Sequence, residues 1–202
     1  MELNENALGP EEESLVASSQ KGDLEAFNAI VERYERVVYN LALRMLSEPA
    51  VAEDATQDAF ISAFQNIKGF RGGSLRAWLL KIVANRCRDV LRSAYRRRTL
   101  SLEALTLDAD PSFPSRTESP EDYTMRRELG REIQNGLETI PQDQRMVLVL
   151  VDIQGLGYEE AAQVTGASLG TVKSRLSRGR ARLRDYLRTK EELLPGRFRQ
   201  KV

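Results

Sequence analysis

The chain has no histidine and only one cysteine in its 202 residues. One thiol cannot close an internal disulfide, so the fold is not expected to depend on an oxidising compartment. The same shortage rules out a Cys/His zinc finger, a histidine-ligated zinc hydrolase and a Ser-His-Asp triad. No metal, cofactor or catalytic role is expected. No apolar run reaches 18 residues, so no membrane insertion is expected. The first residues, MELNENALGPEEES, lack the basic-then-apolar order of a secretory signal, which makes the cytoplasm the default location. Aromatics are scarce, at 6%, against 30% charged residues. That balance suits a helical intracellular protein. Alternation with period two is missing too, except in MVLVLV (146–151), which is flanked by helix signals.

Net charge is also absent, but only in the total. Thirty basic residues offset thirty acidic ones. The charge falls into blocks: −5 over 1–20, +5 over 21–98, −5 over 99–122, +4 over 123–190 and +1 over the remaining tail. Two basic blocks are therefore separated by an acidic one. A one-signed block repels itself unless a polyanion meets it.

Three segments precede the middle acidic block, each with an apolar stripe at helical spacing. Residues 23–46 align Phe27, Ile30, Val31, Tyr34, Val38, Leu41, Ala42 and Met45. Residues 51–67 align Ala52, Ala55, Ala59, Phe60, Ala63, Phe64 and Ile67. Residues 74–98 align Leu75, Trp78, Leu79, Ile82, Val83, Val90 and Leu91, with Cys87 close by and expected to be inert. Residues 99–122 hold three prolines and many Ser, Thr and Asp, with no surviving period. They read as a flexible linker. The fold class predicted is all-α, with two small helical domains on either side of that linker.

In the second domain, Leu129, Ile133, Leu137 and Ile140 mark a helix stopped by Pro141, and a second helix runs to about Gly155. YEEAAQVTG (158–166) then predicts a short helix ending at a glycine turn. GASLGTVKSRLSRGRARLRDYL (166–187) follows, with six Lys or Arg and one acid. Val172, Leu176, Gly179, Leu183 and Leu187 share one face, and Ser168 sits where an N-cap belongs. Helix, turn and basic helix make the pattern of a helix-turn-helix whose second helix enters a major groove.

These segments together resemble an extracytoplasmic-function (ECF) sigma factor of the sigma-70 family. The resemblance rests on GDLEAFNAIVERY, AEDATQDAFISAF, FRGGSLRAWLLKIVANRCRDVLR, IPQDQRMVLVLVDIQGLGYEEAAQVTG and GTVKSRLSRGRARLR, which occur in this order between about 14 and 188. It implies sigma region 2 at 14–98, a linker at 99–122 and sigma region 4 at 123–190. It implies binding to core RNA polymerase, through the clamp coiled coil of the largest subunit and the flap of the second largest. It further implies promoter DNA, double-stranded at −35 and single-stranded at −10, and an anti-sigma factor that could hold the protein near the membrane. The regulon implied is one of stress or envelope response.

The residues carry those roles as follows. Asp54, Gln57 and Asp58 lie on the polar side of the 51–67 stripe and match the pattern that docks on the clamp. As plain chemistry the two aspartates are also helix N-terminal acids complementing the dipole. The loop GFRGGS and the 74–98 helix take the −10 element, with Phe70, Arg71, Lys81, Asn85, Arg88 and Arg92 as candidates. Phe70 has a second reading, as a staple that packs the loop on the core. In the basic helix, Lys173, Ser174, Ser177 and Arg178 are candidates for base edges. Thr171, Arg175, Arg180 and Arg182 are candidates for phosphates.

Three other readings compete. An operator-binding helix-turn-helix regulator explains 123–190 but not 1–98. A helical-bundle enzyme could use Glu53, Asp54 and Asp58, but a di-iron bundle needs Glu-x-x-His and the chain has no histidine. A purely structural adaptor leaves both basic faces without a purpose.

Overall fold

Three of the helices begin where a side chain accepts from their first N–H groups. In the computed structural model, which describes residues 9–98 and 120–190 with side chains over 9–94 and 128–190, eight α-helices are present among the described residues. The first region comprises α1 (Pro10–Gln20), α2 (Leu24–Leu46), α3 (Pro49–Asn66) and α4 (Leu75–Arg98). The second comprises α5 (Pro120–Glu138), α6 (Gln142–Leu148), α7 (Tyr158–Thr165) and α8 (Leu169–Arg188). Asp23 caps α2 by accepting from Glu25 N at 2.9 Å and Ala26 N at 3.2 Å. Ser74 Oγ accepts from Ala77 N at 3.1 Å at the start of α4. Ser168 accepts from Thr171 N at 3.2 Å, as its position predicted.

The apolar stripes are core. Leu41, Met45, Leu75, Leu80 and Val83 are essentially inaccessible, and Cys87 is buried with them. Burial pushes the Cys87 thiol up to about 12, which keeps it protonated and unreactive. Trp78, Ile82, Leu91, Val31, Tyr34 and Phe64 are only partly buried and pack against this core. Val90 is half-buried rather than core.

Three features differ from the sequence reading. Helix α1 lies in an acidic stretch for which the sequence predicts no helix. Its signature is Pro10 at the first helical position followed by Glu11, Glu12 and Glu13, which suit a helix N-terminus. It buries little besides Val16 and Ser19, so no apolar stripe announces it. Arg33 Nη2 pairs with Glu11 at 2.6 Å, and Tyr34 donates to Glu12, which fastens α1 to α2. Helix α5 starts at Pro120, three residues inside the expected linker; 99–119 lie outside the described residues. Helix α6 runs through MVLVLV as expected, but it widens into a π turn over Val149–Ile153.

Within the second region, α8 crosses α6 closely at Gly179. A Cβ there would meet the Gln144 carbonyl at 3.2 Å and Leu148 at 3.3 Å. The absence of a side chain sets how near the basic helix lies to its support.

The two regions share one core. Their buried side chains form a continuous apolar cluster from Val16 to Leu176. Helix α7 packs on α4, and α5, α6 and the π turn meet α2. The last turns of α2 are buried on more than one face, at Leu41, Ala42, Leu43 and Met45. The sequence predicts two separate helical domains; the structure seats the second region on the first.

Candidate nucleic-acid and polymerase interfaces

The first candidate face is built on α4 and the turn before it. A short 3₁₀ turn, Ile67–Gly69, leads into the loop, and Gly72 and Gly73 both have positive φ, 95° and 87°. Such backbone favours glycine, so Gly-Gly is what lets the chain fold back into α4. Gln20, at the end of α1, donates to the carbonyls of Ile67 at 3.1 Å and Phe70 at 3.0 Å, and so fixes the loop from below. Phe70 is 7% exposed and stacks obliquely on Trp78, centroids 5.4 Å apart. Of its two readings, the staple is the one this geometry carries: the ring faces the core and is not offered to a base. Arg71, Lys81, Asn85 and Arg92 are exposed, and Arg88 is half-buried. Arg88 donates to Asn85 Oδ1 at 2.5 Å and to the Thr165 carbonyl of α7 at 3.4 Å.

On α3, Asp54 and Gln57 are exposed and Asp58 is half-exposed. Arg86 of α4 pairs with Asp58, a contact between residues 28 apart that sequence spacing does not announce. Ile61 lies one turn on and is 57% exposed. An apolar side chain left in water beside two acids and a glutamine is the part of this face that sequence reading missed. The signal was its position, seven residues after Asp54, off the phenylalanine stripe.

The third face is α8. Gly166 ends α7 with φ 69°, and one short turn brings the chain to Ser168. Lys173, Ser177, Arg178, Arg180 and Arg182 are exposed; Thr171, Ser174 and Arg175 are half-buried. The Thr171 hydroxyl lies 2.8 Å from Ser168 Oγ, and Ser174 donates to the Thr171 carbonyl at 3.0 Å. Lys173 Nζ stands 6.0 Å from the ring centre of Tyr158, an exposed aromatic that sequence reading did not single out. Arg175 pairs with Asp143 at 2.5 Å, and Arg180 with Asp152 at 2.6 Å. The hydrogen bond from Arg180 to Asp152 raises the Arg180 pKa further, so this charge is permanent. Acids on α6 and the π turn thus hold two of the proposed phosphate ligands at the flanks of the helix.

Comparison with known proteins now decides the family. Residues 30–97 match the Sigma-70 region 2 model, and residues 130–183 match the Sigma-70, region 4 model. The ECF RNA polymerase sigma-E factor of Escherichia coli is 35% identical over 171 residues, which cover 82% of this chain and 88% of that protein. The chain belongs to the ECF sigma factors.

Other relatives agree. The ECF RNA polymerase sigma-E factor of Haemophilus influenzae is 32% identical over 174 residues, covering 84% of this sigma factor and 91% of that one. The ECF RNA polymerase sigma factor SigE of Mycolicibacterium smegmatis is 36% identical over 171 residues, covering 85% of this chain and 65% of that longer protein. Among solved structures, the Bartonella quintana sigma factor RpoE in complex with the anti-sigma factor NepR superposes with a TM-score of 0.67 at 27% identity, over 81% of this chain and 98% of that one. CnrH in complex with the cytosolic domain of CnrY gives 0.64 at 27% identity, over 89% and 99%. The function is that of a sigma factor directing transcription initiation. The operator-binding alternative, which left 1–98 unexplained, is not favoured. No helix among the described residues is long and apolar enough to cross a membrane.

Proposed function

We propose that this sigma factor divides its work among the three faces. The α3 face, Asp54, Gln57 and Asp58 with Ile61 beside them, docks on the clamp coiled coil of the largest polymerase subunit. The second region meets the flap of the second largest subunit. Helix α8 reads double-stranded −35 DNA, with Lys173, Ser174, Ser177 and Arg178 toward the bases and Thr171, Arg175, Arg180 and Arg182 toward phosphates. The 69–74 loop and α4 hold single-stranded −10 DNA through Arg71, Lys81, Asn85, Arg88 and Arg92, with Phe70 as the floor beneath the loop.

One observation carries this reading. Two exposed basic helix faces stand on different regions of a neutral chain, and α3 presents acids and an exposed apolar residue beside the Asp58–Arg86 pair. A basic face calls for phosphate, and an acidic face repels it. An anti-sigma partner is supported by the likeness to two sigma factors solved in such complexes. It would restrain the protein, near the membrane if the partner is anchored there, until a stress or envelope signal releases it. Run-off transcription with purified core polymerase on genomic promoters, the gene's own included, tests the reading. Start sites that depend on adding this protein are expected; DNA binding without polymerase-dependent transcription would count against it.

A further inference from the structure

The loop before α4 is fixed at its two ends. Ser74 holds the exit: its hydroxyl accepts from Ala77 N at 3.1 Å, and its carbonyl accepts from Trp78 N at 3.0 Å. The entry is held from α1. Gln20 Nε2 donates to the Ile67 carbonyl at 3.1 Å and to the Phe70 carbonyl at 3.0 Å. A primary amide has two N–H donors, and these two bonds use both. The Ile67 carbonyl also accepts from Phe70 N at 3.0 Å, so the amide closes over the 3₁₀ turn. Between the two anchors lie Arg71, Gly72 and Gly73, all exposed.

We propose that Gln20 is a positioning residue for single-stranded DNA: its amide sets the course of the 69–74 loop, and with it the shape of the cleft between that loop and Trp78 where a base of the −10 strand is held. The inference rests on the −10 assignment made above, but its effect on the loop can be measured without it.

Three observations carry it. First, the cleft is made by the loop that Gln20 holds. It measures about 240 Å³, and Arg71, Ser74, Trp78 and Lys81 stand in its wall. Phe70 lines it too, with its ring 5.4 Å from that of Trp78. A shift of the Phe70 carbonyl would carry both the ring and the loop backbone with it. Second, the stretch between the anchors is soft. A Cβ at Gly72 or Gly73 would meet nothing within 4 Å, so these glycines serve their positive φ and not a close contact. Packing does not fix their backbone, which leaves the two ends to do so. Third, α1 has other attachments. Glu11 pairs with Arg33 at 2.6 Å, Glu12 accepts from Tyr34, and Val16 is buried. The end of α1 is closed by Lys21 N to the Ser18 carbonyl and Gly22 N to the Ser19 carbonyl, both at 3.0 Å. The last turn is thus set before Gln20 reaches out, and its amide is spent on the loop instead of on seating the helix. Without that amide the two carbonyls turn to water, at small net cost, and the loop entry is released.

The test uses the full chain, alone and assembled with core polymerase. Trp78 is the single tryptophan and reports on the loop directly. Gln20→Leu removes both donors at similar length. Gln20→Asn keeps an amide but draws it back by one methylene, and covers the case of a misfolded Leu variant. In both, Trp78 emission should shift to longer wavelength with helicity unchanged. The DNA probe is a fork: the −35 element of a promoter mapped by run-off transcription as duplex, followed by its −10 non-template strand left single. Holoenzyme affinity for the fork should fall about fivefold or more, the loss of one held base. Affinity for core polymerase, and for the −35 duplex without the single strand, should not change. Arg33→Ala loosens the other end of α1 and should reproduce neither effect. Unmoved emission and fork affinity in both Gln20 variants overturn the proposal, as does loss of helicity in both. Equal losses on fork and duplex, or the same losses in Arg33→Ala, reduce Gln20 to a tie between helices and overturn its positioning role. Failure to map a promoter, or an unmodified holoenzyme that binds the fork no better than the duplex, speaks against the sigma-factor and −10 assignments; the emission result still decides whether Gln20 shapes the loop.

Discussion

The two basic helices are supported in different ways. In the first region α4 is both part of the core and the bearer of the basic face, and among the described residues Asp58 of a neighbouring helix pairs with it through Arg86. In the second region α8 is flanked by acids of its own support, with Arg175 held by Asp143 and Arg180 by Asp152. The cover over α4 is α7 of the other region; the cover over the flanks of α8 is local. Helix α4 thus meets a helix of the other region as well, while the arginines of α8 are held by ion pairs that phosphate can outcompete. Exposed pairs of this kind are weak, at about 0–1 kcal/mol, so they orient the arginines without withholding them.

The largest test of this contrast asks whether the regions are thermodynamically separate. Leu80→Ala in α4 and Leu148→Ala in α6 each remove a fully buried side chain. Each should cost about 2–5 kcal/mol. Because the buried cluster is continuous, chemical denaturation should remain one transition in which both variants shift the whole curve. Two resolved steps, each moved by only one variant, would break the shared core into independent halves.

Next in size is the acidic face. Asp58→Lys keeps helix propensity but sets an introduced ammonium beside the Arg86 guanidinium, two cations where an ion pair stood. Core polymerase affinity should drop at least about tenfold through like-charge repulsion at the docking surface. Circular dichroism and −35 DNA binding should not change. Unaltered core binding would sink the assignment of this face.

The base-reading assignment comes third. Lys173→Ala or Arg178→Ala should cost about 1–3 kcal/mol on matched −35 duplex and much less on scrambled duplex. Arg182→Ala should weaken both duplexes alike. Equal losses on the two duplexes for Lys173 and Arg178 would move them into the phosphate class.

The smallest effect sharpens the contrast itself. Asp143→Ala and Asp152→Ala free Arg175 and Arg180 and should change stability by no more than about 1 kcal/mol. Duplex affinity at low salt should rise modestly, with a steeper salt dependence. Removing the corresponding pair at α4, by Asp58→Ala, should leave duplex affinity where it was.

Much of the molecule was legible beforehand because helices α2, α3, α4 and α8 are amphipathic over many turns. A stripe such as Phe27–Ile30–Val38–Leu41–Met45 states both the helix and its buried side, since period and burial share one cause. Ser168, Gly166 and Pro141 marked ends for equally local reasons. The exposed face of α8 was legible in the same way, as the complement of its stripe. Helix α1 was missed because its evidence was end chemistry without a stripe. Phe70 had two readings because an aromatic beside a glycine loop fits either; only the Trp78 ring and the two bonds from Gln20 turn it inward.

What the sequence by itself determined, then, is each helix that carries an apolar stripe, its buried side and the sign of its exposed side, because neighbours along a helix lie within a turn of one another. Only the tertiary structure decided which helix meets which. Asp58 finds Arg86, Asp152 finds Arg180, and Gln154 reaches a carbonyl 117 residues away at Val37. Contacts at that separation leave no period in the chain. They are set by how the stripes of the helices close into one core, and that closure seats α7 on α4.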